Sequence, residues 1–233
     1  MKEKFFEKHE TLIAIALIVI YIVSNSFCMQ NFGQTDFRSA LVNGVLSLLI
    51  IGFIAKNKLG KYYGLTKFPN PKKFLYFIPL IILMSVNLWT GININNTINE
   101  IIFFMISMVF VGFLEEIIFR GFLYQMMAKD NVKTATLVTS LTFGIGHIIN
   151  LLNGADLVPT LIQIVYAVAT GYAFAVILQK GKSLWPCIIT HSVVNALSIF
   201  NIENTISMYV APVVLTIVPL LYVAYLKKNI KGE

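Results

Sequence analysis

From about Ile101 to Ala128 the chain is almost continuously apolar, yet within that run Val111-Gly-Phe-Leu-Glu-Glu-Ile-Ile-Phe-Arg-Gly-Phe122 carries two adjacent carboxylates and an arginine. A helix crosses the hydrocarbon of a bilayer in roughly 20 apolar residues at ~1.5 Å rise each. The run therefore predicts a membrane-spanning helix with Glu115, Glu116 and Arg120 deep inside it. An ionisable side chain there costs at least ~2.5 kcal/mol on insertion scales, so each needs a partner or a function. Glu116 and Arg120 are spaced i,i+4 in the orientation that favours a helical ion pair, which accounts for Arg120 and leaves Glu116 either a support or a direct member of a site. Glu115 has no such local partner and is the sharper candidate for chemistry.

The rest of the chain agrees with a membrane setting. Hydrophobic residues make up 57% and charged residues only 12%, with a mean hydropathy of +0.77, which excludes an ordinary soluble domain. The net charge of +7 does not indicate nucleic acid, because the lysines fall in short connections between apolar runs. Cys28 and Cys187 lie in different apolar segments and read as packed, reduced thiols. The first segment, with Lys2, Lys4 and Lys8 ahead of an apolar run, has no convincing small-x-small cleavage site and reads as an anchor helix.

Hydropathy gives about eight spans, at 11–29, 38–55, 74–90, 98–128, 132–150, 158–179, 184–200 and 206–226. Lysines occupy alternate connections: the N-terminus, 56–73, 129–133, 180–183 and the tail. The opposite set, with Gly91–Glu100, Asn150–Val158 and Asn201–Thr205, has Arg38 as its one basic residue. By the positive-inside rule this is an all-α polytopic membrane protein with both termini cytoplasmic. The whole of 1–233 reads as one integral membrane domain, with N-terminal helices over 1–97 and a basic loop at 56–73 containing Gly60, Gly64, Pro69 and Pro71. Ser183 before Pro186 and Asp156 before Pro159 read as helix caps, and Pro79, Pro212 and Pro219 as kinks inside spans.

Of three histidines, His9 lies in the polar N-terminal segment. His147 closes Phe143-Gly-Ile-Gly-His147 in the fifth span and His191 opens His191-Ser-Val-Val-Asn195 in the seventh. Counted from the basic ends, Glu115 and His147 each lie ~21 Å along their helices, and His191 and Asn195 ~12 and ~18 Å. One intramembrane cavity could collect them. Taken singly, an Asn or His in a span is explained by an interhelical hydrogen bond worth ~1 kcal/mol. Two His, two Glu, an Asn and an Arg on three spans are harder to explain as independent packing. A carboxylate in a dry pocket is a useful base toward water. Two imidazoles could bind a divalent metal such as zinc with Glu115 or Asn195, or, without metal, His and Asn could donate to an oxyanion. Each route leads to hydrolysis of an acyl bond. Gly112, Gly121, Gly144 and Gly146 flank these positions and would allow close helix approach.

Glu115-Glu116-Ile-Ile-Phe-Arg120, Phe143-xxx-His147 and His191-xxx-Asn195 resemble the three signature motifs of the CAAX prenyl protease and bacteriocin-processing (CPBP, Abi) family of intramembrane peptidases, over roughly residues 100–200. The resemblance implies an eight-helix peptidase in which Glu115 activates water, His147 and His191 act as metal ligands or oxyanion donors, Asn195 assists, and Glu116 and Arg120 support the site. The family is usually described as metalloproteases, and a metal-free glutamate mechanism has also been put forward for it. A peptide or membrane-associated protein is the implied substrate, in bacteriocin or signal-peptide maturation or self-immunity. Richness in Lys, Asn and Ile suits an AT-rich bacterial genome and a plasma-membrane location. The competing readings are a non-catalytic immunity protein on the same fold and an ion-coupled transporter; the latter would favour inverted hydropathy repeats, none of which is evident.

Overall fold

The computed structural model describes residues 2–68 and 70–230, with side chains from residue 9 onward. Pro69, Lys231 and the side chains of Lys2, Lys4 and Lys8 lie outside the described residues. Among the described residues every regular element is helical: α1 (Lys2–Asn31), α2 (Phe37–Lys56), α3 (Ile78–Ser85), α4 (Ile98–Glu116), α5 (Gln125–Ala128), α6 (Val132–Gly146), α7 (Ile149–Leu152), α8 (Leu157–Gly181), α9 (Trp185–Leu197) and α10 (Ala211–Asn229). Shorter 3-10 or π turns join them at Pro71–Phe77, Val86–Leu88, Ile117–Tyr124, Ser198–Phe200 and Ile206–Val210.

Seven helical stretches among the described residues are long and apolar enough to cross a membrane. The eighth expected span, now Trp185–Phe200, is apolar but falls short of that length. It nevertheless carries the chain from one end of the bundle to the other. Leu184 N–H donates to Gly64 O (2.8 Å) at its start, and Phe200 O accepts from Asn93 N–H (2.9 Å) at its finish. The third span is also less regular than its hydropathy suggests. Leu75, Tyr76 and Phe77 are successively left-handed (φ 53°, 48° and 62°), so α3 begins only at Ile78 and Pro79 stands in its first turn instead of kinking it. Pro212 likewise lies in the first turn of α10, whereas Pro219 is interior.

The alternation of connections is realised as two ends of one bundle. At the lysine-rich end, Glu10 of α1 pairs with Lys129 and accepts from Tyr62 Oη, tying the N-terminal helix to two basic connections. Ser183 Oγ donates to Thr66 O (2.6 Å), so Ser183 bridges connections and does not cap α9, whose N-cap is Leu184. Asp156 does occupy the N-cap of α8, although its side chain makes no capping bond. Tyr222 Oη donates to Phe74 O (2.7 Å), bringing the end of α10 to the same level. At the lysine-poor end, Gln30 donates to Asn153 Oδ1 (3.0 Å), joining the first and fifth spans.

α4 is the central element, packed on α2 and α9, while α8 packs on α6 and α10. It starts in a capping box: Thr97 accepts from Glu100 N–H, and the Glu100 carboxylate accepts from Thr97 N–H. Directly after Glu116 the expected continuous α-helix becomes π-helical over Ile117–Tyr124, eight residues that are all buried. Such widened turns recur at functional sites. Outward faces of α2 and α10 carry bare aliphatics such as Leu48 and Leu221, as lipid contact requires.

Candidate active site

Glu115 stands in the last turn of α4, His147 caps the C-terminal end of α6, and His191 and Asn195 lie one turn apart on α9. α4 and α9 meet because Gly112 has no side chain. A Cβ there would lie 2.6 Å from the Ser192 backbone nitrogen. Ser192 Oγ donates to Val109 O (3.1 Å) across the same seam, so the glutamate one turn beyond Gly112 faces the histidine next to Ser192. Gly144 gives a similar approach between α6 and α8, with a Cβ 3.0 Å from the Ile164 oxygen. Gly146 faces open space and serves no such purpose.

His191 is held between both glutamates. Its Nδ1 is 2.8 Å from Glu116 Oε1 and its Nε2 3.2 Å from Glu115 Oε2. Glu116 Oε1 also accepts from Arg120 Nη1 at 3.0 Å, and both of these side chains are fully buried. Glu116 is thus more than half of an ion pair: it orients the His191 ring as well. The Arg120 guanidinium lies 4.2 Å over the Phe143 ring, and a Cβ on Gly171 would stand 2.4 Å from Arg120 Nη2, so α8 yields space for it. Phe143 is edge-on to His147 and His191, with centroids 5.2 and 5.7 Å apart, making it a spacer common to both motifs.

Glu115, His147, His191 and Asn195 all line one cavity of about 300 Å³. The three motifs therefore do converge. Glu115 and His147 both line the cavity without a direct hydrogen bond between them. A residue outside the motifs completes the floor: Tyr21 of α1 donates its hydroxyl to Glu115 Oε1 at 2.6 Å. Tyr21 is the sole polar-tipped side chain between Leu12 and Val23, a signal that an anchor-helix reading passes over.

The donor set bears directly on the divalent metal that the motifs imply. Among the described residues no three His, Cys, Asp or Glu side chains are arranged to hold a metal ion. Both ring nitrogens of His191 are engaged by carboxylates, and one Glu115 oxygen is engaged by Tyr21. In this geometry the residues do not fit a metal shell, which needs three convergent protein ligands and an open position.

Residues 97–197 match the Rce1-like family model, described as type II CAAX prenyl endopeptidase Rce1-like. Over this segment, somewhat less than half of its length, the chain is similar to the CAAX protease family. A search of curated proteins finds no match. The matched segment runs from the Thr97 cap of α4 to the end of α9 and contains all three motifs. Tyr21, Asn25, Gln34 and Asn87, which also line the cavity, come from outside it.

Proposed function

We propose that the protein is a multi-pass intramembrane endopeptidase of the CAAX protease type, with its lysine-rich end cytoplasmic in a bacterial cell membrane. The observation that carries this reading is the placement of Glu115 between Tyr21 Oη and His191 Nε2 on the floor of a cavity that His147 and Asn195 face.

In the proposed reaction Glu115 removes a proton from water as the hydroxide adds to the scissile carbonyl carbon. The carbonyl oxygen gains negative charge, and the His147 ring N–H and Asn195 amide, poised on the cavity wall, donate to it. The tetrahedral intermediate expels the amine as the proton held between Glu115 and His191 passes to the leaving nitrogen. One water is consumed and two chain ends are released. Glu116 holds the His191 ring through Nδ1, and Arg120 pairs with Glu116 in a fully buried position. Tyr21 fixes which Glu115 oxygen faces the water.

The test is cleavage by purified protein in proteoliposomes, read by mass spectrometry on a farnesylated peptide ending in a CAAX sequence and on unmodified membrane-anchored peptides. Wild type should cut at least one class, while Glu115→Ala and His147→Ala should not cut either although they fold. Full cleavage by both variants would sink the reading. Binding without cleavage by wild type would instead favour the immunity-protein alternative.

A further inference from the structure

The cavity has a direction. Its α4 wall runs from Glu115 back through Val111 and Met108 to Phe104, toward the Thr97 start of that helix, and no residue of 116–128 lines it. On α9 the wall continues from His191 past Asn195 to Ser198, again away from Lys182. Gln34, in the exposed connection between α1 and α2, stands at the rim. The lining thus extends from the level of Glu115 toward the lysine-poor end, whereas the π-helical turn directly beyond Glu116 is buried and contributes nothing to it.

The lining also has a chemistry. Asn25, Gln34, Asn87, Asn150, Gln163 and Asn195 contribute six carboxamides, while no Lys, Arg or Asp among the described residues lines the cavity. A carboxamide both donates and accepts, so it matches the N–H and C=O of an extended peptide without regard to side chains. Among the described residues no Lys or Arg lines the cavity to hold a terminal carboxylate, and no acid beyond Glu115 lines it to hold a lysine.

We infer that the cavity receives its substrate from the lysine-poor, non-cytoplasmic side of the membrane, as an uncharged segment of a peptide chain held by its backbone. The side of entry follows from the lysine distribution and the cavity walls; the identity of the occupant rests on the peptidase reading above.

One set of preparations tests both halves. Single cysteines are placed at the rim (Gln34→Cys), on the wall (Asn25→Cys) and at the opposite end (Lys61→Cys, Lys182→Cys); wild type, whose Cys28 and Cys187 are buried, is the blank. In bacterial spheroplasts a membrane-impermeant maleimide should label the first two, and the second two only after lysis. Labelling of Gln34→Cys from the cytoplasmic side alone would overturn the access route, whatever the activity. Right-side-out and inverted vesicles are then given a pool of randomised uncharged peptides, or the same pool with Lys or Asp fixed at its centre. Cleavage is expected from the outside of right-side-out vesicles, about tenfold or more faster for the uncharged pool, since an unpaired charge in the cavity is penalised. Cleavage only in inverted vesicles, or equal cleavage of charged pools, would overturn the inference. Failure of wild type to cut any pool would count against the peptidase reading, leaving the labelling to decide the side of access.

Discussion

The Tyr21 hydroxyl donates to Glu115 Oε1 at 2.6 Å, linking the first span to the fourth across 94 positions of sequence. The Glu115 carboxylate is therefore oriented by a helix outside the matched family segment.

Removing that hydroxyl while keeping the ring isolates its contribution. Tyr21→Phe should lower kcat roughly 10- to 100-fold, the equivalent of a hydrogen bond to a charged group, with KM little changed. Steady-state cleavage and a thermal melt in detergent check this; an unchanged kcat would remove Tyr21 from the mechanism.

The two adjacent glutamates should separate in their effects. Glu115→Gln should abolish cleavage with a Tm near wild type, because Glu115 faces a cavity. Arg120→Ala leaves the fully buried Glu116 carboxylate without its ion-pair partner and should destabilise by ~3–5 kcal/mol. Thermal unfolding of the two variants in the same detergent would expose the difference.

Contact between α4 and α9 depends on Gly112. Gly112→Ala places a methyl 2.6 Å from the Ser192 nitrogen, forcing the helices apart and His191 away from Glu115. The expected cost is ~1–3 kcal/mol of stability together with a marked loss of activity. Gly146→Ala, facing open space, is the control and should behave as wild type.

Chelation distinguishes the two chemistries that the motifs allow. With His191 engaged on both nitrogens and no three-ligand group present, cleavage should persist in excess EDTA or phenanthroline. Loss of activity that zinc restores, with zinc retention abolished by His147→Ala, would mean that Glu115, His147 and His191 rearrange around a metal.

Much of this was legible in the chain itself. The cost of polar groups in hydrocarbon makes apolar runs of spanning length a local property, and it makes Glu115, Glu116, Arg120, His147, His191 and Asn195 conspicuous within them. Lysine alternation likewise survives as two bundle ends joined by named contacts. The misreadings have physical causes. Hydropathy does not register the left-handed turn at Leu75–Phe77 or the π-helical stretch after Glu116, because both preserve composition while changing backbone geometry. Ser183 looked like a cap since its position before a helix is local, but its hydroxyl is taken by Thr66, which is distant in sequence.

The sequence by itself determined that the chain is a helical membrane protein, which residues are too costly to be incidental, and that three motifs belong together. Only the tertiary structure decided that His191 lies between two carboxylates, that Tyr21 donates to Glu115, and that the cavity lining extends toward the lysine-poor end. Burial cost is charged residue by residue and can be read from composition along the chain. Partners and openings depend on which helix faces meet, and that is fixed by close approaches such as Gly112 against Ser192, which no local pattern specifies.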